Sequence, residues 1–156
     1  FALYPNSLVM QADSTFSEEY SDMDTYDVGK GRGKLTGTDS LSWNDKSWVI
    51  GIEADQKSSK AFDWNRLKKE RIINEMVGEQ PVVLALATGD KGFFAFKRPD
   101  AETVFSLKND TLYSGEKTWN LLGIASNPTD GNLHKINAYQ EFWHSWSTFH
   151  PHTTRY

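Results

Sequence analysis

Apolar residues fall in short runs from residue 47 onward, separated by turn formers, whereas residues 11–46 are polar and rich in Asp, Ser, Gly and Thr. That polar stretch reads as loop, with Tyr20 and Tyr26 as its anchors. Residues 47–53 form the first run suited to a buried strand, and 55–60 follow as a polar turn. Residues 72–77 read as a strand and 78–80 as a turn. The run 81–98 then predicts two apolar strands joined by the tight turn Thr88-Gly89-Asp90-Lys91-Gly92. Residues 102–107 roughly alternate polar and apolar positions, the signature of a half-buried strand. Residues 111–114, 118–124 and 133–136 add further short strands. Many short strands with turn signals between them predict a sandwich or barrel-like sheet.

Two helices complete the pattern. Asp63 is placed to cap a short helix over 63–71, because its carboxylate accepts from free N–H groups of the first turn. A second helix is predicted near 138–149, with Asn137 as N-cap and Gln140 in the capping-box position. Tyr139, Phe142, Trp143, Trp146 and Phe149 would share one face of it, and Pro151 would end it. The expected fold class is therefore α+β and β-rich, with an aromatic C-terminal helix.

Composition narrows the function. A chain of 156 residues fits one domain, taken as residues 1–156. A net charge of −4 gives no field to attract nucleic acid. There is no cysteine, which excludes disulfides, thiolate nucleophiles and Cys-ligated zinc. No run reaches the 18 or so apolar residues of a membrane span. The chain starts at Phe1 rather than Met, so the expectation is that an N-terminal region, with any export signal or lipid anchor, is missing.

Three stretches carry motifs shared with a known family. Trp48-Val-Ile-Gly-Ile-Glu53, followed by Lys60-Ala-Phe-Asp-Trp64 and Leu67, is similar to "rVlGv…kAYPl..L". Ile73-Asn-Glu-Met-Val-Gly-Glu-Gln-Pro-Val-Val83, running on to Phe96-Lys97-Arg98, is similar to "vvNd.vGG.PVVV" and "aFdR". Phe142-Trp-His-Ser-Trp-Ser-Thr-Phe-His-Pro-His-Thr153 is similar to "fWf.W..fHPdT". Tyr4-Pro5-Asn6-Ser7 echoes His150-Pro151-His152-Thr153 faintly. In these motifs the chain resembles the bacterial domain of unknown function 3179 family, and the resemblance implies the C-terminal part of a longer exported protein, periplasmic or at the cell surface. It also locates a departure. The family's better-known half carries a Cys-Pro-Leu-Cys-Gly-Thr run after the "PVVV" strand, and in the ungapped frame its two cysteines fall on Ala87 and Asp90.

Candidate chemistry is sparse. His144, His150 and His152, with His134 elsewhere in the chain, are the one metal-like set, since neutral imidazole suits zinc, copper or nickel. Glu141 is the single carboxylate at helical ligand spacing from them. Against a divalent metal stands the simpler reading of packed histidines in an aromatic terminus. Trp43 and Trp64 are the surface candidates for stacking on sugar rings, and Asp90 and Arg98 join them as candidate ligand or partner residues. The glycine run 29–37 lacks the flanking strand and helix of a phosphate loop. The acids Glu18, Glu19, Asp22, Asp24, Asp27 and Asp39 read as a solvated loop, although paired carboxylates can hydrolyse glycosides and hard cations can use such oxygens. Asn109-Asp110-Thr111 matches a glycosylation sequon, and Lys68-Lys69-Glu70-Arg71 reads as a solvated helix face. The expected function is a non-catalytic binding or assembly module that contacts a protein partner or the remainder of its own chain, without a cofactor. The alternatives are a metal-dependent hydrolase using the C-terminal histidines, or a carbohydrate-binding module.

Overall fold

The computed structural model of the chain describes residues 40–90 and 92–156. Tyr4–Ser7, Tyr20, Tyr26, the glycine run and the acids from Glu18 to Asp39 lie outside the described residues.

The first element pair is a hairpin, β1 (Trp48–Asp55) and β2 (Ser58–Asp63), antiparallel with an irregularity between Glu53 and Asp55. The polar composition of 55–60 predicts a turn. Only the tip turns, and the polar Ser58–Lys60 belong to a strand because the β1 register carries them into the ladder. Helix α1 (Trp64–Glu70) begins as predicted, with the Asp63 carboxylate accepting the N–H groups of Asn65 and Arg66. β3 (Ile72–Val77), β4 (Gln80–Leu86) and β5 (Phe93–Lys97) then form a continuous antiparallel meander.

Three short strands follow, β6 (Ser106–Lys108), β7 (Thr111–Ser114) and β8 (Lys117–Asn120), which make a small sheet of their own. The predicted strands 102–107 and 118–124 are thus shorter than expected. Asp100 accepts the N–H groups of Glu102 and Thr103, which bends that segment before it can pair. Asn120 accepts those of Leu122 and Ile124, which ends β8. β9 (His134–Lys135) pairs with β5.

The C-terminal region departs most from expectation. Residues 139–142 are not helical. They form β10 (Tyr139–Phe142), antiparallel to β1, and helix α2 spans only Trp143–Phe149. Its cap position is Phe142 rather than Asn137, with no side-chain bond to the first turn. β11 (Thr154–Arg155) closes the far edge, parallel to β2.

The strand orders are β10-β1-β2-β11, β3-β4-β5-β9 and β6-β7-β8, and no sheet among the described residues closes into a barrel. The two larger sheets share one core through Ile50, Ile52 and Phe62 on one side and Ile73, Val82, Leu84 and Leu86 on the other. Val83 and Ala85 point away from that core and join Phe105, Leu112 and Trp119 beneath the small sheet. β4 is therefore buried on both faces, which explains why its sequence is an unbroken apolar run instead of an alternating one. On the outer face of the first sheet, Val49 and Ala61 pack with Trp146 of α2. No helix among the described residues is long and apolar enough to cross a membrane.

Candidate functional site

The bend between β4 and β5 is the place where the resemblance puts a cysteine pair. It is a short 3-10 turn, Thr88–Asp90, with Gly89 at φ 78° and Asp90 at φ 58°. The Ala87 N–H donates to the Gly92 carbonyl at 2.8 Å, and the Asp90 N–H donates back to the Ala87 carbonyl at 3.1 Å. Ala87 offers no donor atom to a ligand, and Asp90 is already engaged.

Its partner is Arg71, which the sequence alone places on a solvated helix face. Arg71 ends α1 in the left-handed conformation, φ 66°, and its N–H closes the helix on the Leu67 carbonyl at 2.8 Å. That geometry throws the guanidinium across to the bend. Nη1 donates to Asp90 Oδ1, and Nη2 donates to the Leu86 carbonyl at 3.0 Å and to the Ala87 carbonyl. From the other side, Asp110 Oδ1 accepts from the Thr88 N–H at 2.8 Å and from its hydroxyl at 3.0 Å. A charged clamp on each flank thus holds the bend closed. No local signal marks these partners. Asp110 lies 22 residues from Thr88, and Arg71 lies 19 from Asp90.

The C-terminal motif forms a clasp. The Trp146 indole is 1% exposed and lies against Gly51, where a Cβ would come within 2.3 Å of the ring. Its Nε1 donates to the Thr153 hydroxyl at 2.9 Å, and the His150 ring stacks on it at 3.7 Å. Phe142 stacks on Trp48 at 4.1 Å, which ties β10 to β1. His150 therefore packs as an aromatic ring. His144 is exposed on α2, and its carbonyl accepts the Ser147 and Thr148 hydroxyls. His152 is exposed and shares with His150, Glu53 and Asp55 a small cavity of about 160 Å³. Glu141 accepts the Ser145 hydroxyl. Among the described residues no three His, Asp or Glu side chains are grouped so as to hold a metal ion, and the structure does not gather His144, His150 and His152 into one.

The tryptophan candidates have intramolecular partners. Trp43 meets Trp143 edge-on at 5.2 Å, and the Arg155 guanidinium lies over both rings, 5.0 Å from Trp43 and 4.3 Å from Trp143. Trp64 is half-buried against the main core.

Arg98 is 4% exposed. Nη1 donates to the carbonyls of Ala101 at 3.0 Å and Thr103 at 2.8 Å, and Nη2 donates to that of Glu75 at 3.2 Å. It thereby folds the segment after β5 back onto β3. Nearby, Asp100 titrates below the ordinary carboxylate range, first through the Thr103 hydroxyl, then through the N–H groups of Thr103 and Glu102. Asn74 braces the same segment by bracketing Phe105, accepting its N–H and donating to its carbonyl, both at 2.8 Å. No local sequence pattern marks Asn74 for this task.

Residues 2–153 match a family model described as Protein of unknown function (DUF3179). No curated protein and no solved structure matches the chain.

Proposed function

The chain belongs to the DUF3179 family, and from that premise we propose that it is a non-catalytic binding or assembly module of the bacterial cell envelope, whose bend serves as a brace. One observation carries this reading. Among the described residues, the charged side chains that reach the bend are spent on each other and on the bend itself, with Arg71 on Asp90 and two carbonyls, and Asp110 on Thr88. A reactive or metal-binding bend needs groups left free for a substrate or an ion, in positions the fold does not itself consume. The other shared motifs support the same reading. Gly51, Asn74, Arg98, Trp146, His150 and Thr153 each have a packing or hydrogen-bonding task inside the chain. The exposed surface is what remains for a protein partner or for the remainder of a longer chain.

The test is metal uptake. The purified chain, incubated with excess zinc, copper or nickel and then desalted, is expected to carry no stoichiometric metal by elemental analysis. The variant His150→Ala/His152→Ala is expected to give the same result. One equivalent of metal on the native chain, lost in that variant, would overturn the reading in favour of the histidine-based hydrolase. Envelope location is checked separately, by fractionation of cells that express the tagged full-length protein.

A further inference from the structure

Another cavity lies at the opposite end of β5 from the bend. It encloses about 610 Å³ between the end of β5, the segment after it, the β7–β8 turn and the residues leading into β9. That volume is in the range of small-molecule sites. Its walls carry Lys97, Lys117 and His134 at the surface and Arg98 beneath.

Arg98 is unusual on two counts. The residue is buried, yet among the described residues no carboxylate lies within ion-pair distance of it. Its Nε is buried with no hydrogen-bond acceptor, although Nη1 and Nη2 are occupied. Backbone carbonyls solvate a guanidinium but do not cancel its charge, and a buried uncompensated charge is costly. In a poorly polarisable interior its field is weakly screened and emerges through the adjoining cleft. Two acids share the cleft with it. Asp100, held by the Glu102 and Thr103 N–H groups, feels Arg98 through space without pairing with it, and Asp130 lies 3.8 Å from Lys117, so the lining carries Lys97, Arg98 and Lys117 against Asp100 and Asp130 and keeps an excess of positive charge.

We propose that this cleft binds a small carboxylate or phosphate anion, held by Lys97 and Lys117 at the rim and by the field of Arg98 below. The buried Arg98 guanidinium makes no direct contact with the ligand; its charge sets the sign of what binds. The proposal is independent of how the bend is read, and a metal at the bend would leave it standing.

Calorimetry on the whole chain tests it, with inorganic phosphate and citrate titrated separately at fixed ionic strength and sodium chloride as control. The expected result is one saturable site for at least one of the two anions and none for chloride. Whichever anion binds identifies the head group. The double variant Lys97→Ala/Lys117→Ala alters only exposed side chains, so its circular dichroism should match the native chain. It should lose about tenfold in affinity, the equivalent of ~1.4 kcal/mol. No saturable heat with either anion overturns the proposal. So does binding that survives unchanged in the double variant.

Discussion

Replacing Trp146 with alanine is expected to lower unfolding free energy by about 3–5 kcal/mol, the range for a large aromatic removed from a packed core. The indole is 1% exposed, caps the outer face of the first sheet, and binds the Thr153 hydroxyl. Its loss opens a cavity and frees the chain beyond α2 together. Gly51→Ala should be destabilising by about 1–3 kcal/mol for the opposite reason, overpacking. The new methyl would meet the same ring at 2.3 Å, and the ring cannot yield because His150 stacks on it. The two effects must therefore interact. In a Trp146→Ala background the methyl has room, so Gly51→Ala should become nearly neutral and the double-mutant cycle should show strong coupling. Urea titrations of the four proteins measure it. Additive losses would mean that the glycine is there for its backbone alone.

The second large effect is expected at Arg98. Arg98→Met removes the donors to the Ala101, Thr103 and Glu75 carbonyls, which then sit unpaired beside a buried aliphatic chain. Unpaired buried acceptors are costly, and a loss of about 3 kcal/mol follows, even after relief of the buried charge. Arg98→Lys should recover little of it, because a single ammonium cannot reach three carbonyls held in a planar fork. Hydrogen exchange gives a local readout. The Phe105 amide, held by Asn74 in the native chain, should exchange faster in both variants. Native-like protection there in Arg98→Met would remove the clamp from the account.

These expectations concern the parts of the fold that the sequence made legible to different degrees. The β3–β4–β5 meander could be read directly, because β4 is buried on both faces and its apolar run has no other simple explanation. The α1 cap could be read as well, since Asp63 satisfies a local need. The segment 138–142 could not. Tyr139, Phe142, Trp143 and Trp146 fit a helical stripe, but the hydrogen-bonding edge of β1 and the face of Trp48 claim residues 139–142 for a strand. Non-local pairing thus overrides the local period, and only α2 remains helical. The polar Ser58–Lys60 become a strand for the same reason.

The candidate site was legible only by position. Ungapped alignment of the bend pointed to Ala87 and Asp90, but what closes the bend comes from far along the chain. Arg71 reads as one more charge in a basic run until its left-handed backbone turns it away from the helix. Asp110 reads as part of a sequon until the β6–β7 turn brings it to Thr88. The histidines show the complementary limit. His-x-His spacing suggests chemistry, whereas His150 is taken up by the Trp146 face and His144 and His152 are exposed.

The claim that Arg71 and Asp90 brace the bend is tested most directly by the sign of their contribution to stability. Asp90→Asn keeps a side chain that tolerates the left-handed backbone and removes only the charge. Groups kept for a ligand commonly sit at a sacrifice in stability, and neutralising them tends to stabilise the free protein. With both side chains partly exposed, the account predicts a loss of about 0.5–1 kcal/mol for Asp90→Asn. It predicts a larger loss for Arg71→Met, which also gives up two carbonyl partners, and a double variant no worse than Arg71→Met alone. A rise in the urea midpoint of either single variant would contradict it, because the bend would then be holding its charges for something outside the chain.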